Sequence, residues 1–331
     1  MRPILLFATF TMEKTTLKIH CNLNSCTSSD NSDLRCSNCK VVRYCRQEHQ
    51  TADWPNHKAI CNKIKRSRRK TEEEETASPD GFMSSMNPFE ISVGYFWGIH
   101  ETRPYMRARM DLVTQLLQVN TLVSVASCLE HLRDMLRLCR GDNLGVRDII
   151  PGLYLRLNRD QECYDFLKCL SFLNLKNEDV IKGIEVFKSR FECAHAIAVV
   201  LLKLRMLLDP RDVLASSVYN TEKLNYDTVR VVQDSLATRS PIWSARPELL
   251  AQEGLAERIK LLETQLDALF KYIDRSNKWF WKALLEYEKY LAVPVSAYSS
   301  GSREEMVLLI HHSRSWIETE GAIKWVREKI Q

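Results

Sequence analysis

The chain has 331 residues, 45% hydrophobic and 27% charged, a balance that supports a packed core and excludes wholesale disorder. Its 10 glycines include no G-x-G-x-x-G or G-x-x-x-x-G-K run, which argues against a nucleotide-binding sheet. The net charge of +5 sits at one end: residues 1–76 hold 14 Lys/Arg against 9 Asp/Glu, and residues 77–331 hold 33 of each, so the larger part has no bulk attraction for nucleic acid or acidic membrane.

Residues 1–20 read as an N-terminal extension. The apolar run Pro3–Phe10 is shorter than a membrane span, has only Arg2 as a basic flank and is followed by no small-residue cleavage site. Export is therefore not expected, and Met12 offers a second start of translation. No other segment reaches the length of apolar sequence that a span needs. The 11 cysteines are an odd number, six of them between Cys21 and Cys61, which fits a reducing compartment, nucleus or cytoplasm, better than a disulfide framework.

Residues 21–61 carry eight donors in four pairs: Cys21/Cys26, Cys36/Cys39, Cys45/His49 and His57/Cys61. Thiolates two residues apart at Cys36 and Cys39 converge on one ion, and the i, i+4 pairs at 45/49 and 57/61 each share one face of a helical turn. Eight S/N donors make two tetrahedral sites suited to Zn²⁺. Spacing alone does not assign the four pairs to the two ions.

This stretch resembles the MYND family at Cys36, Cys39, Tyr44, Cys45, Gln50, Trp54, His57, Lys58 and Cys61. The resemblance implies interleaved sites, one from Cys21, Cys26, Cys45 and His49, the other from Cys36, Cys39, His57 and Cys61. Two departures stand out: four residues rather than two separate Cys21 from Cys26, and His49 replaces a usual cysteine. Four protein ligands on each ion leave no position for a reacting water, so both zincs are expected to be structural. The resemblance further implies a shallow groove for proline-containing peptides, with Gln50 bonding an extended backbone and Trp54 offering a flat surface to a proline ring. Capping of a small core is the other role open to Trp54.

Next comes KIKRSRRK, with six basic residues in Lys63–Lys70, then Glu72–Glu75. With the Ser/Pro/Gly-containing stretch after it, residues 62–88 read as a charged flexible linker. A nuclear-import signal or a nucleic-acid-contacting tail are the alternatives; no aromatic residues interleave with the charges to stack bases.

Residues 89–331 read as α-helical, so the fold class is mainly α: a small two-zinc finger followed by a helical-hairpin, tetratricopeptide-like domain. Leu112, Leu116 and Val119, then Leu129, Leu132, Leu136 and Cys139, recur at helical spacing around a break at Val119–Thr121. A second pair follows, from Val146 to Leu157 and from Tyr164 to Phe172. The interval from Asp142–Asn143 to Glu178–Asp179 is near the tetratricopeptide period. Ala194–Leu208 reads as a core helix stopped near Pro210, Leu249–Tyr290 as one or two long helices, and Glu304–Ile330 as a last helical stretch. The order of finger, charged segment and helices resembles MYND-finger proteins of fungi.

A SET methyltransferase domain, a known companion of this finger, needs an N-H-x-C stretch that is absent here. His131 and His195 sit among apolar neighbours as core or edge residues, and His311–His312 lacks a second donor at ligand spacing. The expectation is a non-enzymatic adaptor that binds proteins with proline-containing motifs through the finger and offers a second surface on its helices. A chromatin regulator using the basic tail and a divergent methyltransferase are the rivals.

Overall fold

The computed structural model describes residues 17–27, 34–77, 87–170, 192–215, 239–246, 254–295 and 297–331. It divides into two compact units, Met1–Leu153 and Tyr154–Gln331. The described residues are mainly helical, and their paired strands are one antiparallel ladder, β1 (Leu34–Arg35) with β2 (Arg43–Tyr44).

In the first unit the ladder leads into α1 (Gln47–Thr76), a 30-residue helix. Its buried residues are Asp53, His57, Cys61, Ile64, Ser67 and Thr71, spaced by three or four so that one stripe runs the length of the helix. The stripe packs against α2 (Arg103–Leu117), where the Ser67 hydroxyl donates to Asp111 at 2.5 Å. The segment read as a flexible linker from residue 62 is therefore helical as far as Thr76, and residues 78–86 lie outside the described part. Composition conceals this because two of the buried positions, Ser67 and Thr71, are polar, while the basic side chains of Lys63, Lys65, Arg66, Arg69 and Lys70 take the exposed or half-exposed face.

The chain returns through a helical turn at Pro88–Ile91 to α2 and then α3 (Leu122–Leu138). The break expected at Val119–Thr121 is present: Thr121 caps α3 by accepting from the Ser124 amide at 3.1 Å. Arg109 on α2 pairs with Asp134 and donates to His131 at 3.2 Å on α3, so His131 is a half-buried packing residue. Burial first, then the Arg109 and Arg68 charges, push its imidazole down to about 4. Arg103 and Arg107 lie over the Trp97 ring at 5.6 and 5.3 Å.

In the second unit α4 (Asp160–Leu170) precedes α5 (Cys193–Ala215), which packs on α6 (Leu255–Ser276). Helix α5 continues past Pro210, beyond the stop expected there. Its charged residues are buried in company: Arg205 donates to Asp160 at 2.8 Å, the Leu155 carbonyl at 2.9 Å and Thr319 at 3.1 Å. The stretch read as one or two long helices over 249–290 is, from residue 254 on, three elements, α6, α7 (Phe280–Leu285) and α8 (Tyr287–Leu291), because Asn277 leaves the helix to bond the Ser302 carbonyl and Glu305. The last stretch is likewise α9 (Arg303–His312), α10 (Arg314–Glu318) and α11 (Ala322–Ile330), divided at Ser313 and at Gly321, whose φ of 84° suits glycine. Trp281 is the hub of this core, stacked on Phe270 at 4.5 Å and edge-on to Trp316 at 5.5 Å.

The second pair of helices is present as Ile150–Arg156 and α4. Phe172 and the Glu178–Asp179 end of the tetratricopeptide-like interval lie outside the described residues. Asp142 accepts from the amides of Val146 and Arg147, and Asp160 pairs with Arg205.

Candidate metal centre

Two four-residue clusters form in the finger, Cys21/Cys26/Cys45/His49 and Cys36/Cys39/His57/Cys61, with the donor atoms of each within 4.8 Å of one another. In the first, Cys26 and Cys45 sulfurs lie 3.6 Å apart and His49 Nδ1 is 3.0 Å from Cys45 and 3.5 Å from Cys21. In the second, Cys36 and Cys61 sulfurs are 3.6 Å apart and His57 Nε2 is 3.5 Å from Cys39. None of these thiols is in a disulfide, and the sulfur separations are far beyond a disulfide's roughly 2 Å. A tetrahedral zinc with Zn–S near 2.3 Å and Zn–N near 2.0–2.1 Å sets its ligands about 3.5–3.8 Å apart, which four of these five separations match; the Cys45–His49 pair is closer.

Each pair is positioned by a different local device. Cys36 and Cys39 sit on a knuckle in which Lys40 takes φ 63° and its amide donates to the Cys36 carbonyl at 2.9 Å. The loosened first pair closes through a turn, with the Cys26 amide donating to the Leu23 carbonyl at 3.1 Å. Helix α1 supplies His49, His57 and Cys61, the last two on its buried stripe.

Electrostatics favour a cation between the thiols. Burial, then the neighbouring Cys36 and Cys61, holds Cys39 up at about 12, and burial with the Cys26 and Cys21 thiols holds Cys45 up at about 11. Burial also acts on Cys36, but the amides of Cys39 and Asn38 outweigh it and bring its thiol below the ordinary value. Burial lowers His57, keeping the imidazole neutral as a ligand requires. A divalent ion supplies the positive charge that lets several buried thiolates coexist. The residues fit two zinc ions, each held by three thiolates and one imidazole.

Residues 21–61 match the family model described as MYND finger. This segment is a MYND finger. The assignment of ligands implied by the sequence resemblance is the one the clusters display, including His49 in a usual cysteine position. Over 31 residues the chain is 52% identical to the Rho GTPase-activating protein gacZ of Dictyostelium discoideum; that stretch is 9% of this chain and 3% of gacZ. No solved structure matches the chain.

Around the ligands lie groups that spacing did not reveal. Asp53, 6% exposed, accepts from Tyr44 Oη at 2.7 Å and Asn22 Nδ2 at 2.6 Å, tying the loop of the first site to α1 one turn before His57. Burial and Asp53 together hold the Tyr44 hydroxyl protonated. Asn38 Nδ2 donates to Cys61 Sγ at 3.3 Å. Asp53 could have been found from its i, i+4 relation to His57; Asn38 carries no signal beyond its place between two ligands. The motif residues Gln50 and Trp54 share a face of α1: Gln50 is half-buried, and Trp54 is 38% exposed with its ring edge-on to His57 at 6.1 Å.

Of the other histidines considered, His195 and His312 are buried or half-buried in the second unit, and His311 Nε2 lies 3.1 Å from the Val293 carbonyl. None joins a metal cluster among the described residues.

Proposed function

We propose that the protein is a non-enzymatic adaptor whose finger recognises short proline-containing segments of partner proteins. A MYND finger is a zinc-binding protein-interaction module, and the observation that carries the finer reading is the part-exposed Trp54 beside Gln50 on a helix fixed at one end by zinc ligands. Trp54 offers both roles raised by the sequence: one edge packs on His57, and the remaining surface is open to a proline ring. A proline-rich segment is already extended, so it loses little entropy on docking, and Gln50 supplies a bond to its backbone. The zinc ions are structural in this reading, since each is matched by four protein donors.

The helical part beyond the finger is proposed to supply a second contact, which would raise overall affinity wherever one partner assembly engages both. No helix among the described residues is long and apolar enough to cross a membrane. The basic run is proposed to serve the fold as the outer face of α1 before any contact with nucleic acid, because Ile64, Ser67 and Thr71 bury its inner face.

Affinity capture with the full protein and with Trp54→Ala, both checked for two bound zincs, tests the adaptor role. Loss of a set of partners sharing a proline-containing segment is expected. An unchanged set would move recognition to the helices.

A further inference from the structure

We propose that Arg68 and Thr121, both outside the finger, are positioning residues that set how tightly the second zinc is retained. The Cys36–Val42 knuckle carries two ligands of the second site and closes on itself through the Lys40 amide, which donates to the Cys36 carbonyl at 2.9 Å, and the Cys36 amide, which donates to the Val42 carbonyl at 3.0 Å. Three of its other carbonyls are held from outside the finger. Arg68 Nη1 donates to the Asn38 carbonyl at 3.4 Å, and Nη2 to the neighbouring Cys39 carbonyl at 2.9 Å. Thr121 Oγ1 donates to the Val41 carbonyl at 2.7 Å while its oxygen caps α3.

Holding these oxygens fixes the peptide planes that carry Cys36 and Cys39, and the donor on the Cys39 carbonyl polarises the peptide whose N–H, on Lys40, closes the knuckle onto the Cys36 carbonyl. The guanidinium adds a full positive charge and a fork that fixes two successive carbonyls at once. Both residues are themselves anchored. Arg68 is half-buried on α1, beside Ser67 with its bond to Asp111, and the turn carrying Thr121 is pinned on both sides by Lys18, whose backbone bonds Asn120 and Leu122 at 2.9 Å. The knuckle is thus clamped between two helical elements of the first unit. The loop of the first site is held differently, by the Asn22–Asp53 bond within the finger and by Lys18 Nζ, which donates to the Asn22 carbonyl and to Asn24 Oδ1 at 2.7 Å.

The test uses the full chain loaded with two metal ions, with release to an excess of a chromophoric chelator followed in time. Cobalt in place of zinc, in a His49→Cys background that makes the first site all-thiolate, separates the two sites by their absorption bands. Arg68→Ala should speed loss from the second site by about 10–100-fold, the usual effect of losing an outer-shell partner, and leave the first site's rate alone. Arg68→Lys, which keeps the charge but not the fork, should fall between. Equal acceleration at both sites would mean a generally loosened fold and would overturn the proposal, as would unchanged release. Should Arg68→Ala fail to fold, Arg68→Lys is read by the same criteria: selective acceleration at the second site supports the proposal, and wild-type or unselective release overturns it.

Discussion

Replacement of Ile64 by alanine distinguishes a helical extension of the finger from a flexible linker. Ile64 is fully buried, three residues beyond the last zinc ligand, on the stripe of α1 that packs on α2. Removing its side chain from a packed site costs about 2–5 kcal/mol, the transfer term plus the cavity left behind. For a unit of this size each kcal/mol lowers the melting temperature by about 2–4 °C, so a fall of roughly 4–20 °C is expected. Lys65, its exposed neighbour, provides the control: Lys65→Ala should stay within about 0.5 kcal/mol of wild type. Thermal unfolding of the zinc-saturated full chain, followed by far-ultraviolet circular dichroism, reads both. Equal melting temperatures for the two variants would refute the shared core.

Three further outcomes are expected. Glu318 accepts from Arg156 at 2.9 and 3.0 Å and is ion-paired with Arg314 at 3.3 Å, all three side chains less than 10% exposed, so Glu318→Gln should cost about 3–5 kcal/mol in denaturant titrations by leaving two buried cations without their partner. Replacing all three by apolar residues should cost less than that single change; a silent Glu318→Gln would contradict the ion cluster. Burial, with His311 beside it, holds His312 down at about 3, so the folded state favours the neutral ring: its contribution is intact above the unfolded value near 6.5 and is lost as pH falls from there towards 3, by at most about 4–5 kcal/mol. His312→Phe should flatten this part of the acid dependence, and an identical pH profile would exclude His312 as its source. Zinc removal by a strong chelator should unfold residues 21–61 and loosen the α1–α2 packing, read as increased amide exchange along residues 62–76; exchange unchanged there would show that α1 stands without the metal.

The finger was legible because metal chemistry leaves few options: eight donors at fixed spacings, with Tyr44, Gln50 and Trp54 in register, point to one kind of module. The assignment of the four pairs to two ions was not readable from spacing, since only the folded chain brings Cys21 to His49. The extent of α1 was hidden for a different reason. Its buried stripe beyond Cys61 uses one isoleucine with serine and threonine, which composition reads as polar linker. In the second unit the helical character of α5 and α6 was plain, but their terminators were not. Pro210 suggested a stop that packing overrides, while Asn277 and Ser313 ended helices through side-chain bonds to residues distant in sequence or to the preceding turn. The buried role of Arg205 was equally hidden, because its partners Asp160 and Thr319 lie far along the chain.

The most direct test of the central claim is a calorimetric titration of the zinc-loaded full chain with proline-containing peptides taken from captured partners, set beside Trp54→Ala and Gln50→Ala proteins that retain both metals. Saturable binding by the wild type is expected, weakened about tenfold or more by Trp54→Ala, as the loss of a buried aromatic anchor worth over 1 kcal/mol requires, and less by Gln50→Ala. Equal affinity in all three proteins would contradict recognition by this face of the finger.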